Sequence, residues 1–206
     1  MPDSGRTERR DAVTDAKRTI ILRAAREVFE QHGLEAASMR AIAKAAGYTP
    51  GALYGYFPGK EHIYAALLHE SLDRLHAAID PVTGTAAQRF HAAGLAFYDF
   101  YRSAPKDLDL GLYLFSGGAR PRGLSADLDH ALNTKLLACL QPLTTAAIEL
   151  GLPQPAARQA TADVLAHTIG LLLLTHTKRL TLFAADPRTM MDNYLTMRIA
   201  AIDQAV

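Results

Sequence analysis

The 206-residue chain has a single cysteine, Cys139, and no tryptophan. One cysteine excludes an intrachain disulfide and fits a reducing compartment. Excess charge is missing too. Lys and Arg number 22 against 21 Asp and Glu, a formal net charge of +1, so the chain as a whole does not announce a polyanionic partner. No run approaches the ~20 apolar residues of a membrane-spanning helix. The most apolar stretch, 164–174, is short and contains His167 and Thr168. The first fifteen residues are polar and charged, unlike a secretory leader. A cytoplasmic protein with no membrane partner is expected. Glycine-rich phosphate loops, a Gly-x-Ser-x-Gly elbow and Cys/His metal spacing are all missing, which argues against an enzyme and against a cofactor. His62, His69 and His76 share a helical face, but each seven-residue step rises ~10.5 Å, too far for two imidazoles to chelate one ion. No metal site is expected.

Strict apolar–polar alternation is also missing, so no strand is expected. What remains is helical spacing throughout, with 49% of residues hydrophobic. It predicts an all-α fold of about nine helices: about 16–32, 38–46, 49–57, 60–79, 86–102, 105–115, 125–151, 155–183 and 187–203. Pro142 lies inside the seventh, which predicts a kink near 138–141.

Residues 36–60 read A-A-S-M-R-A-I-A-K-A-A-G-Y-T-P-G-A-L-Y-G-Y-F-P-G-K. Ser38 is an N-cap before Met39, Ile42, Ala43 and Ala46, and Gly47 stops that helix. Thr49 caps a second helix with Pro50 in its first turn, Leu53 and Phe57 facing inward. So short a pair buries little of its own surface, and such units usually present one helix to a DNA groove. The helix before it, with Ile21, Leu22, Ala25, Val28 and Phe29 in one stripe, completes a three-helix unit. Charge supports this placement mildly. Residues 1–60 hold ten Lys and Arg against seven Asp and Glu, and the remainder twelve against fourteen.

The runs I-L-R-A-A-R-E-V-F-E-Q-H-G and S-M-R-A-I-A-K-A-A-G-Y-T-P-G-A-L-Y-G-Y-F-P-G-K-E resemble the N-terminal domain of the TetR/AcrR family of transcriptional repressors. The resemblance covers about residues 17–64. Two positions depart from it: Tyr48 stands where the family usually has a smaller aliphatic residue, and Gly55 where it often has a bulkier one. The resemblance implies a flexible basic arm over 1–16, a helix-turn-helix domain over 17–60, and a ligand-binding and dimerisation domain over 61–206. It implies a ligand-responsive homodimeric repressor whose partner is a roughly palindromic double-stranded DNA operator. It also implies phosphate contacts from Ser38, Tyr54, Tyr56 and Lys60.

The residues themselves add detail. The predicted recognition helix 49–57 has no Arg, Lys, Asn or Gln. Thr49 and Ala52 can meet a thymine methyl, Gly51 permits close backbone approach, and the Tyr54 and Tyr56 hydroxyls suit phosphates. Arg40 is the candidate for a bidentate contact to guanine, with Tyr48 and Thr49 beside it. The competing readings are a solvated Arg40 and a Tyr54 packed inward. Arg6, Arg9, Arg10, Lys17 and Arg18 either reach toward DNA or are simply solvated.

Beyond residue 60 the informative helices are the last two. Val164, Leu165, Ile169 and Leu171–Leu174 leave the eighth no polar side for three turns, and a chain this small covers one face only. With Met190, Met191, Tyr194, Leu195, Met197, Ile199 and Ile202 it predicts a homodimer through about 155–183 and 187–203; the alternative is a helix pair central to one monomer core. An aromatic set, Phe97, Tyr98, Tyr101, Tyr113 and Phe115, with Leu136, His167, Leu171 and Thr175, is the candidate pocket for a small apolar ligand. An ordinary aromatic core competes with it. Two other functions stay open: a ligand-insensitive DNA-binding dimer, and a helical small-molecule binder without DNA binding.

Overall fold

Local signals set the first elements of the computed structural model, which describes residues 4–115 and 125–204. The first helix, α1 (Ser4–Ala36), leaves helical geometry at Gly33. It starts a dozen residues before the predicted boundary, so the arm expected to be flexible is helical from Ser4. No proline or glycine interrupts residues 6–32, and Thr14 and Thr19 hydroxyls donate back to the carbonyls of Arg10 and Asp15.

Next comes α2 (Met39–Ala46), capped by Ser38, whose side chain accepts from Ala41 N. It ends at Gly47, with φ 73°. Tyr48 N donates to Ala43 O and Gly47 N to Lys44 O, the paired closure that needs a left-handed residue. Thr49 then caps α3 (Pro50–Tyr54). The helix is shorter than the predicted 49–57: Gly55 closes it, and the N–H groups of both Tyr56 and Phe57 turn back onto Leu53 O. The next element, α4, spans Lys60–Ile79.

Two compact units divide inside α4, between Glu70 and Ser71, ten residues beyond the predicted domain boundary. One comprises the described residues of 1–70 and 109–129. Its core is Ile21, Ala25, Phe29, Ile42, Leu53, Phe57, Tyr64 and Leu67, all nearly fully buried. Phe29 and Tyr64 meet edge to face at 4.5 Å, Tyr64 Oη donates to Leu34 O at 2.6 Å, and Arg26 pairs with Glu70 at 2.7 Å. These contacts supply the support that so small a helical unit needs from the start of α4.

The other unit comprises 71–108 and the described residues from 130 onward. It holds the end of α4, α5 (Ala86–Ser103), most of α7 (Ala126–Glu149), α8 (Gln154–His176) and α9 (Pro187–Asp203); α6 (Pro105–Phe115) starts in it. A reciprocal Thr85–Gln88 box caps α5. Helices α5 and α9 approach closely because position 94 is glycine: a Cβ there would lie 2.6 Å from Leu195 Cδ2. Arg74 pairs with Asp107, and Lys135 with Asp73. Helix α7 is continuous through Pro142.

Helix α8 stops at His176 rather than near Phe183. The hydroxyls of Thr175 and Thr177 bond back to the carbonyls of Leu171 and Leu173, competing with the helical ladder. Lys178 then takes φ 57°, and a short 3₁₀ turn covers Leu180–Phe183. One side of α8 (Val164, Leu171 and Leu172) is buried. On the other, Leu173 and Leu174 are exposed, as are Met190 and Met197 of α9 and Leu182 and Phe183 of the turn.

Candidate DNA-binding surface and the buried aromatic cluster

The α2–turn–α3 pair presents its polar residues on the outside. Arg40, Thr49, Gly51 and Ala52 are exposed, and Tyr54 is 54% exposed, so the inward packing that competed for Tyr54 is not seen. A Cβ added at Gly51 would meet nothing within 4 Å, leaving the backbone open to close approach. Ser38 is exposed, with its oxygen already accepting the Ala41 N–H. The Thr49 oxygen likewise accepts from Ala52 N at 3.2 Å. Each hydroxyl therefore keeps its proton for an outside acceptor, the polarity a phosphate oxygen requires.

Tyr48 and Tyr56 are half-buried and meet edge to face, centroids 6.0 Å apart. Lys60, half-buried at the start of α4, holds its ammonium 5.7 Å from the Tyr64 ring centroid. The nine residues singled out for DNA thus lie on or directly beside α2, α3 and the start of α4. Sequence reasoning misplaced Arg18. Rather than extending from an arm, it donates from Nη1 to Tyr56 O at 2.9 Å and lies 4.3 Å over the Phe57 ring.

With this geometry in hand, the comparisons are specific. A family described as "Bacterial regulatory proteins, tetR family" matches residues 21–67. The HTH-type transcriptional regulator UidR of Escherichia coli K12 is 41% identical over 68 residues, which are 32% of this chain and 35% of that protein. A transcriptional regulator from Rhodococcus sp. Rha1 superposes with a TM-score of 0.70 at 25% identity, over 91% of this chain and 96% of that one. Residues 21–67 carry a TetR-family domain.

The chain also resembles the HTH-type transcriptional activator FasR of Mycolicibacterium smegmatis, 38% identical over 89 residues, 42% of this chain and 41% of that protein. It spans about a third of the length of the curated relatives it matches first. The TetR family regulator PfmR from Thermus thermophilus shares its fold, with a TM-score of 0.61, 18% identity, and 88% of this chain and 94% of that one covered. No described helix is long and apolar enough to cross a membrane.

The second predicted site is partly assembled. Phe97, Tyr98 and Tyr101 are buried on α5, and Leu171 on α8. Phe97 and Tyr101 meet edge to face at 5.3 Å. Burial raises the Tyr101 phenol far above its ordinary pKa. Tyr98 is fully buried, and its hydroxyl has no hydrogen-bond partner among the described residues. Its phenol is raised chiefly by burial, with Thr175 as nearby polar company. Thr175 is half-buried and gives its own proton to Leu171 O at 2.7 Å.

His167 does not join this group through a polar contact. Its ring stacks on Tyr194 at 3.8 Å, its Nε2 is enclosed without a partner, and burial lowers its pKa. Tyr194 had been assigned only to the dimer surface. Leu136 is half-buried on α7, one turn before buried Leu140. The side chains of Tyr113 and Phe115 lie outside the described residues.

Two open grooves occur elsewhere in this unit. One of about 620 Å³ lies beside His76, Asp80, Arg89 and Pro142. Another of about 490 Å³ lies beside Gln88, His91, Thr196 and Ile199. Neither is lined by the predicted ligand residues.

Proposed function

We propose that this protein is a homodimeric transcriptional repressor that binds a roughly palindromic operator through α2 and α3 and is released by a small apolar molecule. The observation that carries the DNA reading is the doubly capped α2–α3 pair with Arg40, Thr49, Ala52 and Tyr54 on its open side. The family match over residues 21–67 falls on the same part of the chain. Two-fold pairing of the protein mirrors two half-sites about one helical turn apart. The dimer reading is supported by Leu173, Leu174, Met190 and Met197, apolar and exposed on the last two helices; unburied apolar surface of this kind favours association. The ligand reading is supported by the unpartnered Tyr98 hydroxyl in an otherwise apolar interior, the composition of a small-molecule site. A ligand acts here by binding the non-reading state better than the reading one.

Selection of bound duplexes from random DNA, at low and physiological salt, tests this. Enriched sequences should be inverted repeats. Arg40→Ala should weaken binding by ~1–3 kcal/mol and relax one base position per half-site. Unchanged affinity and unchanged preference would remove Arg40 as a base reader. A second reading, activation, is favoured by the similarity to FasR, which is named an activator. A promoter–reporter with the selected site separates the two: deleting the protein raises expression under repression and lowers it under activation.

A further inference from the structure

The short recognition helix raises a mechanical question: what holds it. Five residues make little more than one turn, and its own core contact is the single buried side chain Leu53. The turn that follows consumes its own donors. Gly55 N bonds to Ala52 O at 3.2 Å, and Tyr56 N and Phe57 N both bond to Leu53 O at 3.0 Å. The Tyr56 carbonyl is taken by Arg18, which comes from 38 residues earlier on α1.

We propose that Arg18 is a positioning residue for DNA recognition, fixing the turn after α3 through the Tyr56 carbonyl and the Phe57 ring. The guanidinium does two things at once. Its edge donates to Tyr56 O at 2.9 Å, and its face lies 4.3 Å over Phe57. Phe57 is 1% exposed, so the platform is itself held by the core. A planar cation can stack and donate in the same pose, whereas an ammonium cannot. The effect reaches both ends of α3. Tyr56 meets Tyr48 edge to face, and Tyr48 immediately precedes the capping Thr49. Displacing the turn therefore moves Tyr54, Tyr56 and the cap together.

The recognition role rests on the DNA-binding reading; the fixing of the turn does not. The test uses the full chain with Arg18→Ala and Arg18→Lys. Amide hydrogen exchange without DNA is expected to quicken at Tyr56 and Phe57 in both variants and to stay unchanged in α8. Affinity for a duplex enriched by the wild-type protein should fall on the order of ten-fold in both, with an unchanged salt slope. Unaltered exchange overturns the proposal. So does full rescue by lysine, or a salt slope reduced by about one, because either marks a direct phosphate contact. A wild-type chain that enriches no duplex at low salt overturns the DNA-binding reading and the recognition role with it, while exchange still decides whether Arg18 fixes the turn.

Discussion

Tyr98→Phe is expected to make the ligand-free protein more stable, against the usual direction of a core substitution. Tyr98 sits on α5 at 0% exposure, and its hydroxyl is enclosed with no hydrogen-bond partner among the described residues. Burial raises its pKa and outweighs the lowering by Arg102 and Thr175, so the phenol stays neutral. A hydroxyl enclosed without a partner costs ~1–3 kcal/mol. Phenylalanine keeps the ring and its packing and discards only the oxygen. Set against that gain are a one-atom void and the weak contact with Thr175. A net stabilisation of about 1 kcal/mol follows, or a rise in Tm of ~2–4 °C for a chain of this size. Urea denaturation reads it as a higher midpoint with an unchanged slope. A loss of about 1 kcal/mol or more would refute the reasoning, because it would mean the hydroxyl is satisfied when no ligand is present.

The same variant tests the purpose of that hydroxyl. A donor kept in the core at a cost to stability is the kind of local inconsistency that functional sites carry. If it anchors a ligand, small apolar molecules with a carbonyl or ether oxygen should raise the Tm of the wild-type protein. They should raise that of Tyr98→Phe less, since the donor is gone. Equal shifts in both would place the ligand elsewhere.

Two titrations follow from burial. His167 has a lowered pKa in the folded chain, so the unfolded chain, titrating near ~6.5, takes up its proton first. Its contribution to stability is present above pH ~6.5 and lost as pH falls below it; the urea midpoint of His167→Gln should vary less between pH 7 and 5 than the wild type's. The Cys139 thiol donates to Leu72 O, and burial pushes its pKa up to about 11. The stability it contributes is present below the unfolded thiol value of ~8.5 and lost as pH rises toward the folded one. Iodoacetamide at pH 8 should label Cys139 only as fast as the chain unfolds, and native-state labelling at the rate of a free thiol would contradict this.

The parts of the fold legible in the sequence are those decided within a few residues. Ser38 and Thr49 as caps, Gly47 as a left-handed stop and Pro50 in a first turn each act on their own neighbours, and each took the expected role. Leu53 and Phe57 were correctly placed inward, but their four-residue spacing overstated the helix. The chain keeps the bond from Phe57 N to Leu53 O after Gly55 has already turned it. The end of α8 was missed for a related reason: apolar spacing continues past His176, while threonine hydroxyls and the left-handed Lys178 interrupt the backbone. Arg18 could not be placed because its partners are 38 and 39 residues away in sequence, and a basic side chain near a terminus looks solvated until its platform is known. The ligand cluster was legible as a set of aromatic positions on α5. Its one telling feature, an enclosed hydroxyl with nothing to donate to, depends on packing between α5 and α8.

The proposed DNA contacts of Ser38 and Thr49 use the same hydroxyls that cap α2 and α3, and this bears on how such a polar-poor helix would read a sequence. The oxygens of Ser38 and Thr49 are committed to the helix N–H groups they cap. Each O–H remains available to an outside acceptor, and the second lone pair of each oxygen can still accept. Against phosphates this is an advantage, since every acceptor there is equivalent. Against bases it is permissive: on the proposed reading the Thr49 hydroxyl can meet the acceptors of guanine, adenine or thymine as well as the amino groups of cytosine or adenine, and so discriminates little. Ala52 and the Thr49 methyl add a preference for thymine methyls. Separating guanine from adenine is therefore the role proposed for Arg40, whose side chain is exposed at the start of α2. On that proposal, positions that Arg40 does not reach would be discriminated by duplex shape rather than by hydrogen bonds. Shape is read only by a rigid body. A recognition helix with few base-specific groups thus depends more on what fixes its position, and in this chain that is Leu53 from inside and Arg18 from α1.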